Sequence, residues 1–242
     1  MRVLVISDIH ANRIALEAVL EDAGQRDAVW CLGDLVGYGP EPNQCLEIIR
    51  SLPNLICLRG NHDSAVCGLT RKGDFNLSAQ KVLRWTEQEL TQDNQRYLAS
   101  LPARTETGDV TLAHGSPRRP IWEYIMDSST ARENFEHFET DYCLVGHSHF
   151  PVLYIQREGS RQVESAPLGG NEERRLIKRS IVNPGSVGQP RDQDSRASYA
   201  VYQTDTQTWK QVRVAYQIAA VQKKMHEAGL PGEYIRRLEL GW

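Results

Sequence analysis

The chain has 242 residues, 40% hydrophobic and 24% charged, with 28 basic against 31 acidic side chains and a net charge of −3. That is enough apolar material for one sizeable core, and the interspersed charge argues against duplex DNA binding and against a disordered tail. No apolar run approaches the roughly 20 residues of a membrane span, and the strand pattern that starts at Val3 leaves no room for a signal peptide, so a soluble cytoplasmic protein is expected.

Val3 to Ile6 is a continuous β-branched-rich run, as expected of a strand covered on both faces. Leu16, Val19, Leu20 and Ala23 recur at helical spacing, and Gly24 is a stop signal. Ala28 to Leu32 reads as a second strand, Asn43 to Ser51 as a helix and Leu55 to Leu58 as a third strand. This βαβαβ order predicts a parallel sheet with right-handed crossovers. Leu77 to Ser100 is helical and broken near Thr91, and Val110 to Ala113 is a strand. Thr130 with Glu133 forms a capping-box pattern ahead of Phe135 and Phe138, and Cys143 to Val145 is a further strand.

From Pro151 the period shifts toward two. Strands are predicted at Val152 to Ile155, Leu176 to Val182, Ser198 to Tyr202 and Trp209 to Val214, with surface loops at Glu158 to Glu173 and Arg191 to Arg196. Gln217 to Leu240 is helical and interrupted at Gly229-Leu-Pro231. Five cysteines, none in a C-x-x-C pair, read as small core residues in a reducing compartment. The expectation is one domain over 1–242, with 217–242 a helical C-terminal extension packed on it.

Chemistry collects at the strand ends. Ser7-Asp8-Ile9-His10 follows the first strand, Gly33-Asp34 the second and Gly60-Asn61-His62-Asp63 the third; His114-Gly-Ser-Pro and Gly146-His147-Ser148-His149 follow two later ones. In open α/β sheets the carboxyl ends of strands line the ligand crevice. Five of the seven histidines fall in these segments; His137 and His226 lie in helical patterns and read as surface residues. Carboxylate with imidazole suits manganese, iron or zinc, and the number of ligands is about twice what one catalytic ion needs, so two ions are expected. A shared aspartate and a hydroxide can bridge such a pair, and that hydroxide is a natural nucleophile for a phosphate ester. Any one of these short motifs alone reads as a turn; their conjunction in this order does not.

The series D-x-H, G-D, G-N-H-[DE], H and G-H-x-H resembles the calcineurin-like metallophosphoesterase superfamily, over residues 3 to about 190 and most closely its small bacterial and archaeal phosphodiesterases. The resemblance implies a four-layer α/β/β/α sandwich, two mixed sheets packed together and flanked by helices. It implies one divalent ion on Asp8, His10, His149 and bridging Asp34, and a second on Asp34, Asn61, His114 and His147, manganese preferred and iron, zinc or nickel as alternatives. His62 matches the histidine that protonates the leaving alkoxide, and Asp63 either orients it or supports the ligands. The implied reaction is hydrolysis of a phosphodiester or nucleotide phosphoanhydride. A phosphomonoesterase or phosphoprotein phosphatase is the alternative enzyme, and a non-catalytic scaffold subunit of the same fold is the alternative class.

Substrate contacts are expected from three places. Asn12 opens the first helix at the crevice, as an N-cap or a substrate contact. The turn Asn183-Pro-Gly185-Ser186 lies beside the G-H-x-H loop in the resemblance, and its bare amides suit an anion, with Arg191 just beyond. Arg118 to Tyr124 places arginines beside Trp122, which suits phosphate and a stacked base in a substrate lid, with a packed lid or an oligomer contact as alternatives. Arg59 is expected to pair with an acidic neighbour, and Ser64 to Asn76 to form a second mobile rim. The partner is a small phosphate ester or nucleotide; a homo-oligomer is open through the Trp122 region and the Leu240-Gly-Trp242 end.

Overall fold

A computed structural model describes residues 1–157, 159–171 and 173–242. Strand β1 (Arg2–Ile6) buries Val3 and Val5 on one face and Leu4 and Ile6 on the other, as a continuous apolar run requires. It leads through α1 (Arg13–Ala23), β2 (Ala28–Cys31), α2 (Pro42–Arg50) and β3 (Leu55–Cys57) into the short α3 (Asn61–Val66). α4 (Leu77–Glu89) and α5 (Gln92–Ser100) follow, separated at Thr91, whose hydroxyl caps α5 by accepting from Asn94 N. The chain continues as β4 (Arg104–Thr107), β5 (Val110–Ala113), α6 (Ser128–Asn134), β6 (Tyr142–Leu144), β7 (Pro151–Gln156), β8 (Val163–Pro167), β9 (Glu173–Arg175), β10 (Ser180–Pro184), β11 (Ala197–Gln203) and β12 (Thr208–Val214). It closes with α7 (Ile218–Glu227) and α8 (Gly232–Leu240), joined through Gly229-Leu-Pro231.

One sheet runs β3-β2-β1-β11-β12-β9 and the other β4-β5-β6-β10-β7-β8. The β1–β2, β2–β3, β5–β6 and β6–β10 pairs are parallel and the remaining pairs antiparallel. Between the sheets lie Val3, Val5, Trp30, Leu32, Leu112, Leu144, Val182, Tyr202 and Trp209. Leu4, Ile6, Tyr199 and Val201 face α1 and α2 on one outside face, and Cys143, Tyr154 and Ile181 face α6 on the other. Four layers result, each strand serving two of them by alternation. Each fully buried Leu, Ile or Val in these layers is worth about 1.5–3 kcal/mol relative to exposure. Among the described residues, no helix is long and apolar enough to cross a membrane.

Three local expectations are corrected. The cap of α6 is Asp127, whose carboxylate accepts from Thr130 N at 2.8 Å, so the Thr130/Glu133 pair lies inside the helix. An anionic cap at a helix N-terminus serves at least as well as a hydroxyl and competes with it. The strand expected at Leu176 to Val182 begins at Ser180, because Arg179 has φ 61° and anchors its guanidinium on the Phe138 carbonyl at 2.9 Å. The stretch read as a loop from 158 to 173 contains β8, a largely exposed edge strand antiparallel to β7 whose polar sequence hides its period. Glu158 and Glu172 lie outside the described residues. Four cysteines are buried and Cys67 is half-buried, and all five are free thiols.

Candidate active site

The ends of β1, β2, β3, β5 and β6 meet along one rim. The connecting loops are stitched by the main chain: Asp8 N donates to Gly33 O at 3.0 Å, His10 N to Asp34 O at 3.0 Å and Gly146 N to His114 O at 2.7 Å. Asp8, His10, Asp34, His147 and His149 all have φ between 49° and 66°, a region that costs a non-glycine residue of order 1–3 kcal/mol. Such conformations persist only where the surroundings hold them, and they aim side chains inward that a regular strand end would turn away. Gly33, with φ 101°, is required for a further reason: a Cβ there would stand 2.9 Å from His114 Nδ1 and 2.8 Å from Gly60 N.

Asp34 sits at the centre. Its Oδ2 lies 3.7 Å from His10 Nε2 and 3.5 Å from His114 Nε2, and its Oδ1 accepts from His62 N at 2.9 Å. Asp8 Oδ1 is 3.4 Å from His149 Nε2, and Asn61 Oδ1 is 3.2 Å from His114 Nε2. Among the described residues, three sets bring ligand atoms within 4.8 Å of one another: Asp8, His10 and His149; His10, Asp34 and His62; and Asp34, His114 and His147. Asp34 and His10 each belong to two of them. All of these side chains are buried.

The outer ring nitrogens fix the tautomers. His10 Nδ1 lies 3.1 Å from Val36 O, His114 Nδ1 2.9 Å from Leu32 O and His149 Nδ1 2.5 Å from Gln189 O. A carbonyl only accepts, so each Nδ1 carries the proton and each Nε2 presents a lone pair inward. The Nε2 atoms of His10 and His149 stand 3.1 Å apart. Two lone pairs at that distance repel, and a cation between them removes the repulsion. His147 Nε2 is buried with no hydrogen-bond partner, while its ring stacks on Tyr124 at 3.8 Å.

Electrostatics point the same way. Burial pushes the Asp8 carboxyl up to about 7, and it pushes Asp34 well above the carboxylate range, where Asp63 adds to the effect. Burial holds His10, His62, His147 and His149 well below the usual imidazole range, with Arg191 contributing to each. A desolvated cluster of acids and neutral imidazoles is a set of donors that divalent ions would suit.

Several of the expected residues support the loops around the site rather than reach into the crevice. Asp63 opens away from His62 and accepts from Leu35 N at 3.0 Å, Val36 N at 3.1 Å and Gly60 N at 2.9 Å, so it fastens the loop after β2 to the start of α3. Asn12 caps α1 through Ala15 N at 3.1 Å and donates to Gly188 O at 3.0 Å, which leaves its side chain no free polar atom for substrate. Asn183 donates to Gly146 O at 2.7 Å and Ser148 Oγ at 3.0 Å, and accepts from Gly185 N at 2.8 Å. Ser186 Oγ donates to Asp8 O at 2.8 Å. The Asn-Pro-Gly-Ser turn is buried and shapes the ligand loops from behind, and its Gly185 amide is already spent on Asn183 Oδ1.

Arg118 is held by Glu123 and, at 2.5 Å, by Glu133, so its guanidinium is committed to two carboxylates rather than to the crevice. Arg191 is the contrasting case. It donates to Gln189 Oε1 at 3.0 Å, lies 5.9 Å over the Tyr38 ring and has no carboxylate partner among the described residues; its Nε is buried without a partner. Arg59 donates to Ser64 Oγ at 3.1 Å and to the Ala99 and Leu101 carbonyls at 2.8 Å, where an acidic partner was expected. His137 and His226 are exposed. In the 64–76 rim, Ser64 to Val66 are buried in α3, and Phe75 packs edge-on against both His62 (5.0 Å) and Trp122 (5.1 Å). Trp122 is 37% exposed beyond it. Tyr124, at the end of the expected Arg118 to Tyr124 segment, lines the site together with Tyr38 and Phe75, which were not singled out from the sequence; the glycines on both sides of Tyr38 were the available signal.

The segment after His114 is organised by Glu123, which accepts from Ser116 Oγ at 2.7 Å, Asn134 Nδ2 at 2.8 Å and Arg118 Nε at 3.1 Å. Burial works to raise this carboxyl, but those bonds prevail and hold it at about 2. A depressed carboxyl contributes stability that is fully present above the ordinary glutamate range and is lost as pH falls through about 2. Glu123→Gln is therefore expected to destabilise the protein by about 2 kcal/mol at pH 7, the worth of hydrogen bonds to a charged group. In urea unfolding the gap to wild type should close as the pH is lowered toward 2, and a gap that stays constant with pH removes the charge from the explanation.

A four-layer sandwich with clustered Asp and His at the shared strand ends defines a metal-centred hydrolase architecture. The chain belongs to the calcineurin-like phosphoesterase superfamily, whose domain pattern matches residues 1–207. It is similar to the crystal structure of a metallophosphoesterase from Sphaerobacter thermophilus, with 46% identity, full coverage of both chains and a TM-score of 0.91. An uncharacterized protein of Methanocaldococcus jannaschii is 37% identical over 99% of this chain and 98% of its own. A symmetrical bis(5'-nucleosyl)-tetraphosphatase of Pseudomonas syringae pv. tomato is 27% identical over 43% of this chain and 40% of its own.

Proposed function

We propose that this chain is a dinuclear metal-dependent hydrolase of phosphoester bonds that takes a nucleotide diester or dinucleoside polyphosphate, with His62 as general acid. The observation that carries the reading is the pair of bare Nε2 atoms of His10 and His149, 3.1 Å apart and beside the buried Asp34 carboxylate. Asp8, His10, His149 and Asp34 would hold one ion, and Asp34, Asn61, His114 and His147 the other. Divalent ions there, manganese first and iron, zinc or nickel as alternatives, would activate a water and neutralise charge on the phosphoryl oxygens.

The chain's own residues do the rest. His62 stands beside this centre with its backbone N–H on Asp34, and its ring delivers a proton to the departing oxygen. Burial keeps that ring neutral before substrate arrives, and the negative charge of a bound phosphate favours its protonated form. Arg191 meets a non-bridging phosphate oxygen, since no carboxylate among the described residues competes for it. Trp122 and Phe75 offer aromatic faces beyond His62 for a base. The tetraphosphatase relatives support the nucleotide class over part of the chain. A scaffold role gains no support, because each ligand position keeps a competent side chain.

The test is a substrate panel: dinucleoside polyphosphates, nucleotide diesters and a methyl phosphodiester, assayed with each of the four metals. Turnover of the nucleotide substrates with manganese is expected. Trp122→Ala should raise KM for them about tenfold, as loss of about 1–3 kcal/mol of stacking implies, and leave the methyl diester unaffected. A wild-type protein inert on every substrate with every metal overturns the reading.

A further inference from the structure

The ring of His62 is held in an unusual way. Its Nδ1 is buried with no hydrogen-bond partner, and the adjacent Asp63 is committed to three backbone amides elsewhere. A histidine that must present one nitrogen to a leaving group ordinarily has the other tied to a carbonyl or carboxylate, as His10, His114 and His149 do here. Around His62 there are rings instead: Tyr38 at 4.5 Å, His10 at 4.9 Å and Phe75 at 5.0 Å. The backbone closes in as well, since a Cβ on Gly37 would collide with His62 Nδ1.

Behind this box stands the C-terminal hairpin, which lies beyond the part of the chain matched by the superfamily pattern. Tyr234 of α8 is buried, packs its ring on Tyr38 at 4.6 Å and donates its hydroxyl to Asn76 Oδ1 at 3.0 Å. Asn76 neighbours Phe75 in sequence and caps α4, so one tail residue touches one wall of the box, Tyr38, and the residue next to another. Lys224 of α7 adds an ion pair to Glu41 at 2.7 Å on the loop that carries Tyr38. Val221, Met225, Ile235 and Leu238 bury the hairpin against Ala79, Val82 and Tyr38.

From this arrangement we infer that Tyr38, braced by Tyr234 of the C-terminal hairpin, is the positioning residue for His62. The inference rests on the general-acid reading of His62. The second side-chain torsion of a histidine is broad, so an imidazole without a bond on its outer nitrogen takes its angle from packing. The tail thereby sets the direction in which a proton is offered.

The experiment compares wild type, Tyr38→Ala, Tyr38→Phe, Tyr234→Ala and His62→Ala, all loaded with manganese, on two diesters that share one phosphoryl group. One loses an alkoxide, the other 4-nitrophenolate, which departs without a proton. Tyr38→Ala and Tyr234→Ala are expected to lose about tenfold in kcat on the alkoxide substrate and under about threefold on the nitrophenyl one, a fraction of what a general acid contributes, with KM and manganese content retained. Tyr38→Phe should restore wild-type rates, because the ring and not the hydroxyl does the holding. In metal-free protein, the 15N–1H correlations of the His62 ring should broaden in both alanine variants. Equal losses on both substrates, or loss of manganese, make Tyr38 a merely structural residue and overturn the inference. A leaving-group effect in His62→Ala without one in Tyr38→Ala overturns it while the general-acid reading stands. No leaving-group effect in His62→Ala removes that reading, and unchanged His62 resonances in Tyr38→Ala then dispose of the inference as well.

Discussion

Asp34→Asn is expected to abolish paired metal binding and to lower kcat by about a thousandfold or more. A bound ion supplies several kcal/mol of charge stabilisation, and each 1.4 kcal/mol is a factor of ten. The asparagine preserves shape, and its Oδ1 can still accept from His62 N, which Asp34 does at 2.9 Å. What disappears is the one carboxylate among the described residues that lies within 3.7 Å of His10 Nε2 and 3.5 Å of His114 Nε2 at once. Without metal the substitution should cost little stability, because burial already works against the charged form of the Asp34 carboxyl and an amide is a neutral group of the same shape. With metal the two proteins should part: a ligand at a hundred times its Kd stabilises the folded state by about 2.7 kcal/mol, and wild type alone should show the rise in Tm. Metal analysis of dialysed protein gives a readout independent of turnover. Two ions per chain in the variant, or activity within tenfold of wild type, would refute the bridging role of Asp34.

The cluster of Asp, His and Asn side chains at the rim was legible because strands stop where apolar runs stop, and each stop here is followed by Asp, His or Asn within a few residues. The sheets then do what parallel strands do and carry those ends to one rim. What stayed hidden depended on direction rather than position. Asp63 follows His62, but successive residues of a helix point about 100° apart, so neighbours in α3 diverge: one faces the centre and the other its loops. Arg118 looked like a phosphate contact until the turn to Glu123 and the helix bearing Glu133 closed on it, contacts that no periodicity announces. The turn Asn183 to Ser186 was placed correctly beside the site, yet its glycine and asparagine serve the fold's own hydrogen bonds. Tyr38 was invisible because its partners His62, Phe75 and Tyr234 come from segments far along the chain.

His62→Ala separates the acid from the centre it serves. Its imidazole is near Asp34 and His10, close enough to be a ligand atom of a third cluster, so two roles compete for it. If it bound metal, its loss would reduce metal content and slow all substrates alike. If it donates a proton, its loss leaves manganese in place and slows only those reactions whose leaving group needs one. We expect the second outcome, with kcat on an alkyl diester falling by about 10² to 10⁴, the usual contribution of a general acid, and with a nitrophenyl diester nearly unaffected. The physical ground is the contrast between nitrogens. His10, His114 and His149 each have the outer nitrogen fixed on a carbonyl, which locks a lone pair toward an ion. His62 has no such lock, so its ring is free to carry a proton on either nitrogen and to give it up. Its backbone N–H, not its ring, is bonded to Asp34, and alanine keeps that bond, so the bridging carboxylate should stay in position when the imidazole is removed. A His62→Ala protein that holds one manganese where wild type holds two would instead make His62 a ligand, and the source of the leaving-group proton would have to be sought elsewhere on the rim.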